Sequence, residues 1–98
     1  MIKLIYRSTR PFLEVQWYQR STGVKELADH AKTQKKLISE EFKYGDDGLT
    51  LFIIHTWADK LSYSDYVNSP EMLEWRIDRS LYNSNNNITF ELYSILED

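Results

Sequence analysis

Residues 49–57, LTLFIIHTW, alternate so that Leu49, Leu51, Ile53, His55 and Trp57 share one face of a strand while Phe52 and Ile54 point to the other. A strand that is apolar on both faces belongs to a sheet covered on both sides, because a face left in water carries polar residues. The closing stretch, ITFELYSIL (88–96), repeats the pattern, with Ile88, Phe90 and Leu92 opposed by Tyr93 and Ile95. The chain has 98 residues, enough for one domain (1–98) with one core and too few for a second layer of its own. A second copy of the chain is the simplest cover. The sequence therefore predicts a homodimer interface built on Phe52, Ile54, Tyr93 and Ile95.

The remaining elements follow from spacing and turn chemistry. IKLIYRS (2–8) and LISEEFKY (37–44) alternate as strands, and the Asp-Gly of GDDG (45–48) joins the second and third strands in a hairpin. A helix capped by Ser21 or Thr22 carries Val24, Leu27, Ala28 and Ala31 on one stripe. A second helical region starts near Ser62, with Asp65 completing a capping box and Leu61 stapling onto Tyr66. Ser69-Pro70 restarts it, Leu73, Ile77 and Leu81 form its expected buried stripe, and NSNNN (83–87) ends it. Segment 11–19 fits a strand, a helical lead-in or an irregular path equally well. The order β-α-β-β-α-β predicts an α+β, ferredoxin-like domain: a four-stranded antiparallel sheet with two helices on one face.

Composition narrows the chemistry. The absence of cysteine removes disulfides, thiolate metal sites and cysteine nucleophiles. The opening MIKLIYRSTRP is interrupted by Lys3 and Arg7, unlike the apolar run of a signal peptide, so a cytoplasmic protein is expected. Residues 1–43 hold nine Lys/Arg and five acids, and residues 44–98 hold three and ten, giving a formal charge of −3. Packing of the two halves against each other accounts for that asymmetry better than nucleic-acid binding does. Phosphate recognition needs a net positive face, and LTLFIIHTW lacks the basic-glycine-aromatic pattern that stacks RNA bases. Three glycines supply no phosphate-cradling loop, and His30 and His55 lack metal-ligand spacing, so neither metal nor nucleotide cofactor is expected.

A ferredoxin-like chain that buries its second sheet face in a dimer resembles the dimeric α+β barrel superfamily. The likeness is sharpest over TWADKLSYSDYVNSPEMLEWR (56–76), where a strand ending Thr56-Trp57 leads into a short helical turn and then a longer helix. This is similar to antibiotic-biosynthesis-monooxygenase-type domains. The haem-degrading branch of that group has a Thr-Trp, a Ser-aromatic and a Trp/Leu-Asn-Ser at the same relative spacing as Thr56-Trp57, Ser62-Tyr63 and Tyr66-Val67-Asn68-Ser69 here. Two departures argue against haem degradation. The histidine that would ligate iron is replaced by Arg76, a permanently protonated group, and the asparagine of the first strand has no counterpart before Asn68. The resemblance then implies a cofactor-free pocket between helices and sheet, with His55, Trp57, Tyr66 and Arg76 around it.

Within that pocket His55 is the candidate catalytic base, taking a proton from a phenol or enol ahead of attack by dioxygen. A core histidine bonded to a carbonyl or tyrosine is the competing reading. Arg76 is placed to hold a carboxylate or phenolate, or else to pair with an acid. Trp75, Arg79 and Tyr82 share the opposite side of their helix and read as an interface patch with Met72. The expected function is binding or cofactor-free oxidation of a small aromatic or apolar molecule. The alternative is a non-catalytic interaction homodimer whose pocket is filled by its own side chains.

Overall fold

A computed structural model describes residues 1–97 of the domain expected over 1–98, leaving Asp98 outside the described residues. Its elements are β1 (Ile2–Thr9), α1 (Thr22–Thr33), β2 (Leu37–Tyr44), β3 (Thr50–Trp57), α2 (Lys60–Val67), α3 (Pro70–Asn85) and β4 (Thr89–Glu97). The strands form one antiparallel sheet in the order β2-β3-β1-β4, the ferredoxin-like arrangement, with all three helices on one face. The second helical region is thus two helices rather than one. Among the described residues no helix is long and apolar enough to cross a membrane.

The core lies between that face and the helices. Ile2 and Leu4 of β1, Leu37 of β2 and Trp57 of β3 meet Val24, Ala28 and Ala31 of α1, which is the stripe expected from their spacing. Ser21 caps α1 by accepting from the Val24 amide, and Ser69 caps α3 in the same way from Met72, with Pro70 in its first turn. The cap of α2 is Asp59, not Ser62: its carboxylate accepts from the Ser62 amide at 2.8 Å. Leu61 consequently faces solvent, 70% exposed, and staples nothing.

Two apolar patterns were oriented wrongly by periodicity alone. Leu73, Ile77 and Leu81 of α3 are 47%, 64% and 62% exposed, while Met72, Trp75, Arg79 and Asn83 face the sheet. Aromatic side chains bury more area than leucines and bring a donor to satisfy, and here both α3 aromatics find carbonyls in segment 11–20. Trp75 Nε1 donates to Gln19 O at 3.1 Å and the Tyr82 hydroxyl donates to Gln16 O. In β4, a bulge breaks the alternation at Tyr93: Ile5 pairs with Ser94, but Tyr6 pairs with Leu92. Tyr93 stays on the helix-free face, its ring 5.9 Å from Phe52, whereas Ile95 comes opposite Leu4 on the helix side. Leu96, opposite Lys3, takes the place expected of Ile95 on the open face.

The β2–β3 hairpin turns as its Asp-Gly pair requires. Gly48 sits at φ +72°, and a Cβ built there would lie 2.9 Å from Leu13 Cδ2. Gly48→Ala should cost about 1–2 kcal/mol, from the left-handed backbone and the displaced Leu13 together. Chemical denaturation would read this as a lower midpoint with unchanged slope.

Candidate active site

Segment 11–20 is irregular and runs back across the helix-bearing face of the sheet. It is pinned at several points. Arg10 donates to Gly48 O and Val15 O and stacks over Trp17 at 4.0 Å, and Trp17 Nε1 donates to the buried Ser8 hydroxyl at 3.1 Å. Tyr18 packs between Trp75 and Tyr82. The segment, the sheet and α2–α3 together enclose a cleft of about 840 Å³.

At the β2 side of the cleft, cross-strand pairing sets Glu40 opposite His55. The Glu40 carboxylate, 3% exposed, lies 3.6 Å from His55 Nε2, 2.7 Å from Arg20 Nη1 and 3.0 Å from Lys32 Nζ. Burial by itself would raise its pKa, but His55 and Lys32 beside it and the charge of Arg20 outweigh that, holding it down to about 2. Glu40 is therefore an anion at any physiological pH. At 3.6 Å the contact between His55 Nε2 and this carboxylate is electrostatic rather than a direct hydrogen bond, and it favours the tautomer with hydrogen on Nε2, which leaves Nδ1 as the acceptor.

Aromatic walls surround the pair. Tyr6 meets His55 edge-on at 5.9 Å between ring centroids and stacks on Phe90 at 5.5 Å. Tyr66 lies 4.9 Å from Trp57, and its hydroxyl pKa is raised by burial while Arg20 pulls it back. Burial, with Tyr63 alongside, keeps the Tyr6 phenol firmly protonated.

The α3 side carries the charge. Arg79 lies over the Phe90 ring at 3.9 Å and Trp75 at 5.0 Å, and burial together with neighbouring Arg76 lowers its pKa to about 10. It remains a cation at neutral pH. Arg76 stands exposed at the mouth, with Nη1 3.4 Å from Val67 O.

Of the residues singled out from sequence, His55, Tyr66 and Arg76 line this cleft. Trp57 does not: it is 1% exposed and backs the wall from within the core, against His55, Tyr63 and Tyr66. The end of a strand is where α2 closes over the sheet, so the largest side chain there is covered. Tyr63 belongs to the lining, as do Arg79 and Trp75, which read as an interface patch. Glu40, Arg20 and Tyr6 also line it. Glu40 was within reach of the sequence: counting outward from the GDDG hairpin puts Tyr44 opposite Leu51 and hence Glu40 opposite His55. Arg20 had no such signal, because an irregular segment has no register to count.

No protein-family model matches the chain, and no curated protein does at a significant level. Solved structures do. A conserved protein of unknown function from Bacteroides thetaiotaomicron, described as a possible oxidoreductase, superposes with a TM-score of 0.68 at 12% identity, over 99% of this chain and 96% of that one. SnoaB from Streptomyces nogalater, a cofactor-independent oxygenase solved as a point variant, gives 0.64 at 12% identity, over 99% and 91%. A Deinococcus radiodurans protein provisionally described as an antibiotic biosynthesis monooxygenase gives 0.64 at 8% identity, over 100% and 92%. The chain thus has the fold of antibiotic-biosynthesis-monooxygenase-type domains, end to end.

Proposed function

We propose that the cleft takes a small aromatic molecule with an acidic C–H or O–H, that His55 accepts its proton, and that dioxygen oxidises the resulting anion without a bound cofactor. The carrying observation is the His55–Glu40 pair set in an open, aromatic-walled cleft. Glu40 orients the imidazole and stabilises it once protonated, which a carboxylate held ionised does without taking the proton itself. For an activated methylene the chemistry balances without a reductant: CH2 and dioxygen become C=O and water. SnoaB, which shares this fold, is described as a cofactor-independent oxygenase, and that supports the reading. A cleft of about 840 Å³ also weighs against the alternative of a pocket filled by its own side chains.

Anthrone, whose methylene is acidified by the adjacent carbonyl, is a suitable probe in an oxygen electrode. The protein should accelerate oxygen uptake above buffer, and His55→Ala should lower that rate roughly a hundredfold, the usual scale of general-base catalysis. Equal rates for the two proteins would remove the base from the reading and leave binding alone.

The same reading includes a second copy of the chain across the open sheet face. Ile5, Phe52, Ile54, Tyr93 and Leu96 form an apolar patch there, edged by the Arg7–Glu91 ion pair. A patch of that kind is unfavourable in water and self-complementary across a two-fold axis.

A further inference from the structure

We propose that the α3 side of the cleft is a carboxylate subsite, in which Arg79, helped by Arg76 at the mouth, holds the ionised carboxylate of an aromatic acid. The inference rests on the reading of the cleft as a small-molecule site and narrows its ligand class.

Charge is the first argument. The chain is acidic, with a formal charge of −3, yet the cleft is lined by Arg10, Arg20, Lys25, Arg76 and Arg79 against Glu40 and, at its edge, Glu91, whose carboxylate turns to Arg7 on the open face of the sheet. Both carboxylates are already engaged, Glu91 by Arg7 and Glu40 by Arg20 and Lys32. Among the described residues no acid pairs with Arg76 or Arg79. A guanidinium withdrawn from water without an anion is costly, and an anionic ligand relieves that cost.

Geometry is the second. Arg79 is flanked by the ring faces of Phe90 and Trp75, which fix the plane of its fork while leaving its donors to the cleft. A planar fork matches a carboxylate in bidentate fashion. Arg76 already offers a donor to Val67 O, so one half-buried fork remains, which suits a monoanion. The protonated Tyr6 phenol adds a neutral donor nearby.

The two ends of the cleft are also spaced for one molecule. From His55 the contacts run through Tyr6 to Phe90 and on to Arg79, at 5.9, 5.5 and 3.9 Å. A ligand spanning them carries its carboxylate on a ring remote from the proton that His55 removes.

Three fluorescent probes test this by titration: a hydroxynaphthoate with its hydroxyl and carboxylate at opposite ends, the same compound as its primary amide, and naphthol. The acid should bind at least about tenfold more tightly than the amide, the scale of a charge-assisted contact out of water. Arg79→Met should bring that ratio close to one, and Arg76→Gln should reduce it less. The ratio is internal to each protein, and the wild-type comparison needs no variant, so a fold defect in either variant cannot mimic the result. Equal binding of acid and amide, with naphthol also bound, overturns the subsite and leaves the aromatic site standing. Tight acid and undetectable naphthol supports the subsite while removing the phenol reading. A ratio in Arg79→Met equal to wild type, or no binding of any probe, overturns the assignment.

Discussion

Ile54→Lys is expected to convert a particle of twice the 11.7 kDa chain mass into monomer or unfolded chain, as light scattering at micromolar concentration would read it. Ile54 sits at the middle of the open face, paired with Ile5 in β1 and Glu41 in β2, with Phe52 two residues before it on the same side. A lysine there brings a cation into an apolar contact, and even paired with Glu41 opposite it both charges must be desolvated, which costs several kcal/mol. The peripheral charges of the same face, Arg7 and Glu91, already neutralise each other and offer the new cation little. Leu61→Lys on α2 is the matched control, since Leu61 is 70% exposed on the far side of the molecule. A monodisperse wild-type monomer at the same concentration would refute the dimer.

Glu40→Gln is expected to lower the melting temperature by roughly 10–20 °C. Three basic groups converge on the Glu40 carboxylate, and removing its charge leaves Arg20 and Lys32 facing each other across a neutral amide. The loss should be on the order of 2–3 kcal/mol, and for a domain of this size each kcal/mol moves the transition by about 4–8 °C. The pH dependence gives a second reading. Glu40 titrates near 2 in the folded protein, against an ordinary value of 4.5, so the unfolded chain takes up the proton first as the solution is acidified. Its contribution is therefore complete above about pH 4.5 and disappears as the pH falls toward 2. The wild type should lose stability across that window, and the variant should lack that component. Parallel pH profiles for the two proteins would show that the carboxylate is not held as the distances indicate.

Glu40 and Gly48 also show how much local rules reach. Alternation in LISEEFKY and LTLFIIHTW, joined by one Asp-Gly turn, sets the register of β2 on β3, and that register alone brings Glu40 to His55. The element order, the caps at Ser21 and Ser69, the α1 stripe and the doubly apolar sheet were all legible in the same way. Each depends on neighbours a few residues apart or on one hairpin, so sequence spacing is enough to specify it.

Tertiary structure decided what spacing could not rank. Helix α3 has two faces of comparable apolarity, Leu73-Ile77-Leu81 and Met72-Trp75-Tyr82, and periodicity cannot say which one turns inward. The choice falls to the second because Trp75 and Tyr82 find carbonyl partners in segment 11–20, which periodicity does not see. That rotation carries Arg79 into the cleft and leaves the leucine stripe outside. The bulge at Tyr93 likewise moved Ile95 to the other face, since one extra residue inverts every side chain beyond it. The ionic half of the site depends on tertiary structure for a related reason. Arg20 reaches Glu40 from an irregular segment and Arg79 reaches Phe90 only because α3 turns that face onto β4, and neither contact follows from a register that can be counted.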